Sequence, residues 1–391
     1  MHWLSYAFNF KYREACFNGP PFGFAIYIVK LLLYKSMEMI FMKDQKRIRD
    51  YGIKIGEMQC GRLNSITDVQ GIRVGHCTID STEAKTGVTV ILPHKDNIFR
   101  EKVMAACHVI NGFGKTTGSI QIEELGTLET PIVLTNTLSV GMAEDALIEY
   151  MLEKNGDIGL TTGTVNPVVC ECNDGYLNSI RKRHVEKRHV FEAIQNADVE
   201  FSEGSVGAGR GMSCFGLKGG IGTASRIVEL DNEEFAVGAL VMTNFGRKED
   251  LLINGVKAGK KIVALEKACR EDEKEKGSII VVLATDVPCS ERQLKRVAKR
   301  AFAGIARTGG QAGNGSGDVV IAFSTANRVM HYKDKDISAF RMIHDDSIDK
   351  VFRAAVESVE EAILNSMICA ETTQGRDGNI RYSLKEYIEL I

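Results

Sequence analysis

Neither sign of charge is in excess in this chain. Forty-nine Lys and Arg stand against 51 Asp and Glu, a formal charge of −2 at neutral pH. No basic stripe interleaved with aromatics occurs either, so nothing suggests a polyanion partner and nucleic acid is not an expected ligand. Long apolar runs are also wanting. The N-terminal stretch FGFAIYIVKLLLY (Phe22–Tyr34) is interrupted by Lys30, whereas a membrane span needs roughly 20 apolar residues. No small-residue cleavage site follows it, which argues against a secretory signal. Met37, Met39 and Met42 precede a charged stretch that looks like a natural beginning. Residues 1–60 are therefore read as an N-terminal extension from a misplaced start, with a membrane-associated leader or an extra helix as alternatives. No stable membrane span is expected.

Metal-binding patterns are missing as well. Ten cysteines are present but no C-x-x-C. The closest pair, Cys170 and Cys172, is read as two strand residues facing opposite sides. Most of the cysteines lie in apolar segments and are expected to be reduced, buried thiols. That points to a reducing compartment, the cytoplasm. His184 and His189 are five apart and do not form H-E-x-x-H. The eight histidines are otherwise scattered, so no histidine-centred catalyst is expected.

Three further motifs fail on inspection. NGFGKTTG (Asn111–Gly118) holds a Gly-Lys-Thr, but Val109 stands where a phosphate-binding loop needs glycine. GSVGAGRGMSCFG (Gly204–Gly216) is dense in glycine, yet Met212 takes the place of the third glycine of a dinucleotide fingerprint. Around Ser213 the fifth position of a G-x-S-x-G elbow is Phe215. Glycine at this density still requires positive-φ turns or close backbone approach, to a ligand or to another part of the chain.

What is present is a steady alternation of short β-rich runs and helices with no linker. Strands are expected at Gly87–Leu92, Pro131–Asn136, Phe235–Asn244, Ser278–Thr285 and Asp318–Ser324. Helices are expected at Gly141–Glu153, His189–Asn196, Leu251–Lys257, Ser290–Thr308 and Ser347–Asn365, with Ser290 and Ser347 as N-caps. The order lacks the regular βαβ beat of a Rossmann sheet and indicates one layered α/β domain over 61–391. One junction stands out. The charged run Glu271–Lys276 stops at Gly277-Ser278, and an apolar run, Ile279–Ala284, begins at once.

Nine blocks in order resemble the self-processing aminopeptidases called P1 family peptidases, which include the L-aminopeptidase/D-amidase and the β-aminopeptidases. The blocks begin with ITDVQGIRVGH (Ile66–His76) and TGVTVILP (Thr86–Pro93), followed by NGFGKTTG, TPIVLTNTLSVG (Thr130–Gly141) and PVVCECNDGYLN (Pro167–Asn178). They continue with GSVGAGRGMSCFGLKGGIGTASR (Gly204–Arg226), MTNFG (Met242–Gly246), GSIIVVLATDVP (Gly277–Pro288) and ARTGGQAGNGSGDVVIAFSTAN (Ala306–Asn327). The resemblance implies an αββα sandwich like that of the N-terminal-nucleophile hydrolases, with different connectivity. It implies an inactive precursor that cuts itself between Gly277 and Ser278, making Ser278 both nucleophile and chain end. Ser316 and Asp318 match the second serine and the acid of the family, and Asn244 matches its oxyanion asparagine. A substrate-contacting tyrosine of the family corresponds to Tyr176 or to Asn173.

The residues support this chemically. A chain-terminal serine carries its own base, because an α-amine with a pKa of about 7.7–8.0 is partly unprotonated near neutrality. The implied activity is removal of an N-terminal residue from short peptides, amides or esters through an acyl-Ser278 intermediate. No metal or organic cofactor is implied. Processed chain pairs are expected to assemble as a tetramer. The rival expectations are a small-amide hydrolase of the same fold and a non-catalytic member that binds small amines or peptides.

Overall fold

The C-terminal end of the strand Glu233–Asn244 lies beside the beginning of Ser278–Thr285, which on its other side lies beside the beginning of Gly317–Met330, and the rest of the architecture holds this junction in place. The computed structural model describes residues 45–266 and 277–390. The apolar run Phe22–Tyr34 and the charged run Glu271–Lys276 lie outside the described residues.

In chain order the strands are β1 (Arg73–Asp80), β2 (Lys85–Leu92), β3 (Glu101–Gly112), β4 (Thr127–Leu128), β5 (Ile132–Asn136), β6 (Val168–Cys172), β7 (Ser213–Cys214) and β8 (Leu217–Lys218). They continue with β9 (Ile221–Leu230), β10 (Glu233–Asn244), β11 (Ser278–Thr285), β12 (Gly317–Met330), β13 (Thr373–Gln374) and β14 (Ile380–Arg381). The α-helices are α1 (Ser119–Leu125), α2 (Val140–Lys154), α3 (Lys187–Gln195), α4 (Ala258–Leu265), α5 (Glu291–Ala298), α6 (Ala301–Arg307) and α7 (Ile348–Ile368). One sheet has the order β1-β2-β5-β6 and the other β4-β3-β12-β11-β10-β9.

Three apolar clusters make the layers. Between the sheets lie Leu134, Val168, Cys170 and Cys172 from one side and Leu240, Ile280, Val282, Ile321 and Phe323 from the other. Val281, Leu283 and Val320 point the opposite way, onto α7 through Val359, Ala362 and Ile363. Val88, Val90, Val133 and Val169 face α2 and α3. This helix–sheet–sheet–helix stack follows from strands that are apolar on both faces, which must be covered on both. The αββα sandwich expected from the sequence is the observed fold.

Several elements differ from expectation in instructive ways. Cys170 and Cys172 both face the inter-sheet core, because residues two apart in a strand share a face. The segment Leu251–Lys257 is not a helix. Asn254 and Gly255 have φ of 48° and 77°, forming a tight turn that bridges Ile253 to Val256, and α4 begins only at Ala258. The single helix expected over Ser290–Thr308 is two, α5 and α6. Ser290 does cap α5, accepting from the Gln293 N–H. Ser347 precedes α7 without a capping hydrogen bond. Ahead of the expected boundary at residue 60, Ile48 and Ile55 are buried in the α7 cluster, so the compact unit starts at Lys46.

β11 and β12 are parallel, a pairing that needs a crossover connection; α5 and α6 supply it. Beneath β9, Arg226 is fully buried and paired with Glu357 (3.1 Å) and Glu361 (2.7 Å) of α7. Burial pushes the Glu361 carboxyl up, but Arg49 and Arg226 more than reverse this and hold it below the ordinary range. Removing one partner of such a buried group costs about 3–5 kcal/mol. Arg226→Met is therefore expected to lower unfolding stability by about that amount in urea titrations. A glutamate held low in the folded state contributes stability above its ordinary pKa and loses it as pH falls through the folded value. The wild-type advantage over Arg226→Met should accordingly shrink on acidification below the ordinary glutamate range; an advantage that stays constant or grows there would contradict the assignment.

Candidate active site

Asn244 is the last residue of β10 and lies opposite Ser278, the first residue of β11; on the other side Ser278 pairs with Gly317 at the start of β12. Adjacent strands are about 4.8 Å apart, so three segments distant in sequence meet at one sheet end without any loop having to fold over. Ser278, Asn244, Ser316 and Asp318 are all buried there. The structure thus brings together the four residues singled out in the sequence.

Ser316 Oγ donates to Asp318 Oδ1 at 2.6 Å, and the same oxygen accepts the Ile279 N–H at 3.2 Å. One carboxylate therefore fixes both the second serine and the residue following Ser278. The turn that carries Ser316 is itself pinned by Asn111, whose Nδ2 donates to the carbonyls of Gly313, Asn314 and Ser316. Apart from an approach by the Cys172 thiol, the buried Ser278 Oγ has no partner among the described residues. A buried hydroxyl without a hydrogen-bond partner costs free energy.

The Gly277 carbonyl accepts the Gly317 N–H at 3.1 Å, so the bond preceding Ser278 is held and its carbonyl polarised. A Cβ on Gly277 would stand 2.6 Å from both the Asn244 carbonyl oxygen and the Phe245 Cα. Glycine is needed here for close approach to β10.

Asn244 is oriented by β7. Ser213 N–H donates to Asn244 Oδ1 at 3.0 Å, which assigns the carbonyl end of the amide and turns Nδ2 away from Ser213. The β7–β8 ribbon closes through Phe215 and Gly216, both at positive φ (49° and 64°), the geometry of a two-residue hairpin turn. Lys218, fully buried, donates to the carbonyls of Gly209, Met212 and Gly219 at 2.6–2.9 Å.

The two further candidates are placed differently. Tyr176 is 36% exposed, and the Arg381 guanidinium lies 3.7 Å over its ring. Arg381 Nε in turn donates to Ser213 Oγ, which ties Tyr176 to the site. Asn173 uses its Oδ1 to accept the Gly175 N–H and so bends its own loop. In that loop burial pushes the Asp174 carboxyl up to about 7, against hydrogen bonds from Thr86 and Asn178.

One acidic residue was missed. Glu171, in β6, is buried; its Oε1 accepts the Lys115 N–H at 3.1 Å and its Oε2 accepts from Thr137 Oγ1. A Cβ on Gly114 would sit 3.5 Å from Gly317 Cα and 3.9 Å from Glu171 Oε1, so this carboxylate stands across Gly114 from the start of β12. Its only sequence signal was an acid inside an apolar strand, VVCEC.

Burial pushes His76 down to about 4, and its ring nitrogens are engaged with Thr89 and the Ser202 carbonyl. The eight described cysteines are unpaired by disulfides and all but Cys60 are buried. Burial raises the Cys172 thiol well above its ordinary value. Among the described residues no group of three His, Cys, Asp or Glu is arranged to hold a metal ion, and no helix is long and apolar enough to cross a membrane.

Comparison with known proteins agrees with this geometry. The model of peptidase family S58 matches residues 64–381. The β-peptidyl aminopeptidase BapA of Sphingosinicella microcystinivorans is 38% identical, over 88% of this chain and 93% of its own. A solved structure from Pyrococcus horikoshii OT3 is 52% identical with a TM-score of 0.83, covering 88% of this chain and 98% of the other. The L-aminopeptidase D-Ala-esterase/amidase of Ochrobactrum anthropi is 39% identical with a TM-score of 0.80, covering 88% and 99%. That structure is described as a prototype of the serine aminopeptidases and a variant of the N-terminal-nucleophile hydrolase fold. This chain belongs to peptidase family S58, and its chemistry is that of a serine aminopeptidase.

Proposed function

We propose that the chain cuts itself between Gly277 and Ser278 and then uses Ser278 to release N-terminal residues from short peptides, amides or esters. The observation that carries this reading is the convergence of Asn244, Ser278 and the Ser316–Asp318 pair at one sheet end. In the first reaction Ser278 Oγ attacks the Gly277 carbonyl carbon. A C–O bond forms, the C–N bond breaks, the proton passes from Oγ to the departing amine, and water hydrolyses the ester. The Gly317 N–H already on that carbonyl lowers the barrier by stabilising the developing oxyanion. In turnover the freed α-amine of Ser278 acts as base. Ser316 relays the proton, and Asp318 orients Ser316 and favours its charged partner. Asn244 Nδ2 donates to the oxyanion. Glu171 receives the substrate's ammonium, because an aminopeptidase must recognise a cation next to the acyl group and this carboxylate flanks the β12 side of the site.

A purely binding role has no need of a pinned amide, an unpaired hydroxyl and a serine–carboxylate pair at one place. The buried thiols favour a reducing compartment, which supports assignment to the cytoplasm. A tetramer of processed pairs is the assembly proposed.

Intact mass of purified protein is expected to show two chains, the smaller starting at Ser278. Full-length chain alone after prolonged incubation of folded protein would overturn self-cleavage. Ser278→Ala should abolish both cleavage and hydrolysis, and Gly277→Ala should slow cleavage sharply, because its Cβ meets the β10 backbone. Asn244→Ala is expected to lower kcat by roughly 10²–10³, as for other lost oxyanion donors; a loss below about threefold in steady-state assays of processed enzyme would remove that donor from the mechanism. Glu171→Gln should act mainly on KM for aminoacyl anilides, and an unchanged KM would relocate ammonium recognition.

A further inference from the structure

After α7 the chain returns to the site. Thr373 of β13 pairs with Arg381 of β14, and the turn between them is attached to the loop that carries Tyr176. Arg376 N–H donates to the Leu177 carbonyl at 2.9 Å and Arg376 Nε to the Gly175 carbonyl at 2.8 Å. Asn379 Nδ2 donates to the Tyr176 carbonyl at 2.8 Å. A Cβ on Gly375 would stand 2.2 Å from the Leu177 carbonyl oxygen, so glycine permits this approach. Beyond the hairpin the Lys218 N–H donates to the Tyr382 carbonyl at 2.8 Å, and Leu384 is buried in the α7 cluster. Arg381 is therefore bracketed by attachments to the Tyr176 loop and to the β7–β8 ribbon.

From this position its guanidinium engages both. It lies 3.7 Å over the Tyr176 ring, and its Nε–H donates to Ser213 Oγ at 3.3 Å. The N–H of the same serine donates to Asn244 Oδ1 at 3.0 Å. Ser213 thus accepts at its side chain and donates from its main chain, which makes a two-step link from Arg381 to the Asn244 amide. A guanidinium suits this place because its planar fork stacks on a ring and donates in a fixed direction at the same time.

The link crosses the proposed cleavage point. In the processed pair Ser278 and Arg381 belong to the small chain, whereas Tyr176, Ser213 and Asn244 belong to the large one. Nucleophile and oxyanion donor then sit on separate chains, joined by the pairing of β10 with β11. That pairing fixes the main chain of Asn244 and leaves the rotation of its amide to side-chain contacts. The link through Ser213 supplies one from the same chain that carries the nucleophile.

We propose that Arg381 is a positioning residue for the oxyanion amide: through Ser213 it fixes the orientation of Asn244 on the large chain relative to Ser278 on the small one. This rests on the self-processing aminopeptidase reading above and adds the C-terminal hairpin to the machinery of turnover. In self-cleavage the oxyanion is assigned to the Gly317 N–H, a donor fixed by β12 and not by Ser213, so Arg381→Ala should still process to completion. On aminoacyl anilides its kcat should fall by about tenfold, the lower end of the scale of a hydrogen bond to a charged group. KM should stay within about twofold, because a donor used in the transition state alone is read in kcat. Arg381→Lys should retain part of the activity, since an ammonium can donate to Ser213 but has no planar face. Ser213→Ala removes the Oγ acceptor while keeping the N–H on Asn244, and should reproduce much of the loss. The double variant should lose no more than Arg381→Ala alone, because both changes break one link. Each kcat is taken per mole of processed chain, counted by intact mass. Arrested self-cleavage in folded Arg381→Ala, a kcat within about threefold of wild type or a loss carried mainly by KM overturns the inference and leaves the aminopeptidase reading intact. Losses of the two single variants that multiply in the double variant do the same. Wild-type enzyme that fails to hydrolyse anilides overturns that reading and this inference together.

Discussion

The common end of β10, β11 and β12 is the constraint on which the site depends. Ser278 lies between Asn244 and Gly317 because of strand register, and register is a property of the whole sheet. β11 is apolar on both faces, with Ile279, Val281 and Leu283 on one side and Ile280, Val282 and Ala284 on the other. In a strand with one polar face, a one-residue slip would expose the core set. Here hydrophobicity discriminates weakly, and polar contacts at the strand end take over. Asp318 Oδ1 on the Ile279 N–H and Gly317 N–H on the Gly277 carbonyl both fail if β11 moves by one residue. The groups read as catalytic are thus also the groups that set the register.

Much of this was legible in the sequence, for physical reasons that can be named. Ser278–Thr285 and Asp318–Ser324 read as strands because they are short, apolar and bounded by Gly, Asn or Asp, and the spacing from Ser278 to Ser316 and Asp318 survives folding because β11 and β12 are parallel neighbours. What was not legible depends on long-range contact. Ser213 and Arg381 are 168 residues apart in the chain, and no periodicity links them. Glu171 was hidden because a single acid in an apolar strand carries no partner in its own neighbourhood; its partners come from Lys115 and Thr137. The expected helix at Leu251–Lys257 failed on a local signal that should have prevailed, since Asn-Gly is a turn dipeptide whose residues accept positive φ.

The glycine-rich block Gly204–Gly220, which matches no phosphate-binding pattern, is explained by packing around a buried cation. A Cβ on Gly220 would stand 2.0 Å from the Gly204 carbonyl oxygen, and one on Gly211 would stand 2.1 Å from that of Lys85. Backbone can approach this closely only without side chains. The approach brings three carbonyls onto Lys218 Nζ. Burial pushes this amine well below its ordinary pKa, yet three acceptors at hydrogen-bond distance call for three N–H donors, which only the ammonium possesses. The segment is therefore organised by a cation satisfied entirely by backbone.

That anchoring reaches the strand partner of Ser278 through one side chain. Lys218 ends the β7–β8 ribbon, and Ser213 begins it; the ammonium fixes the ribbon and the ribbon fixes the Ser213 N–H. Asn244 accepts from Ser213 on one side, and in the proposed mechanism it donates to the oxyanion on the other. Of the residues of its size, only asparagine carries an acceptor and a donor on one planar group. An aspartate would satisfy Ser213 equally well, but it would present negative charge where an oxyanion develops. A leucine would leave the Ser213 N–H without its acceptor. The orientation of the residue 244 amide is thus tied to a lysine 26 residues earlier in the chain, whose own charge is satisfied by the backbone carbonyls of Gly209, Met212 and Gly219.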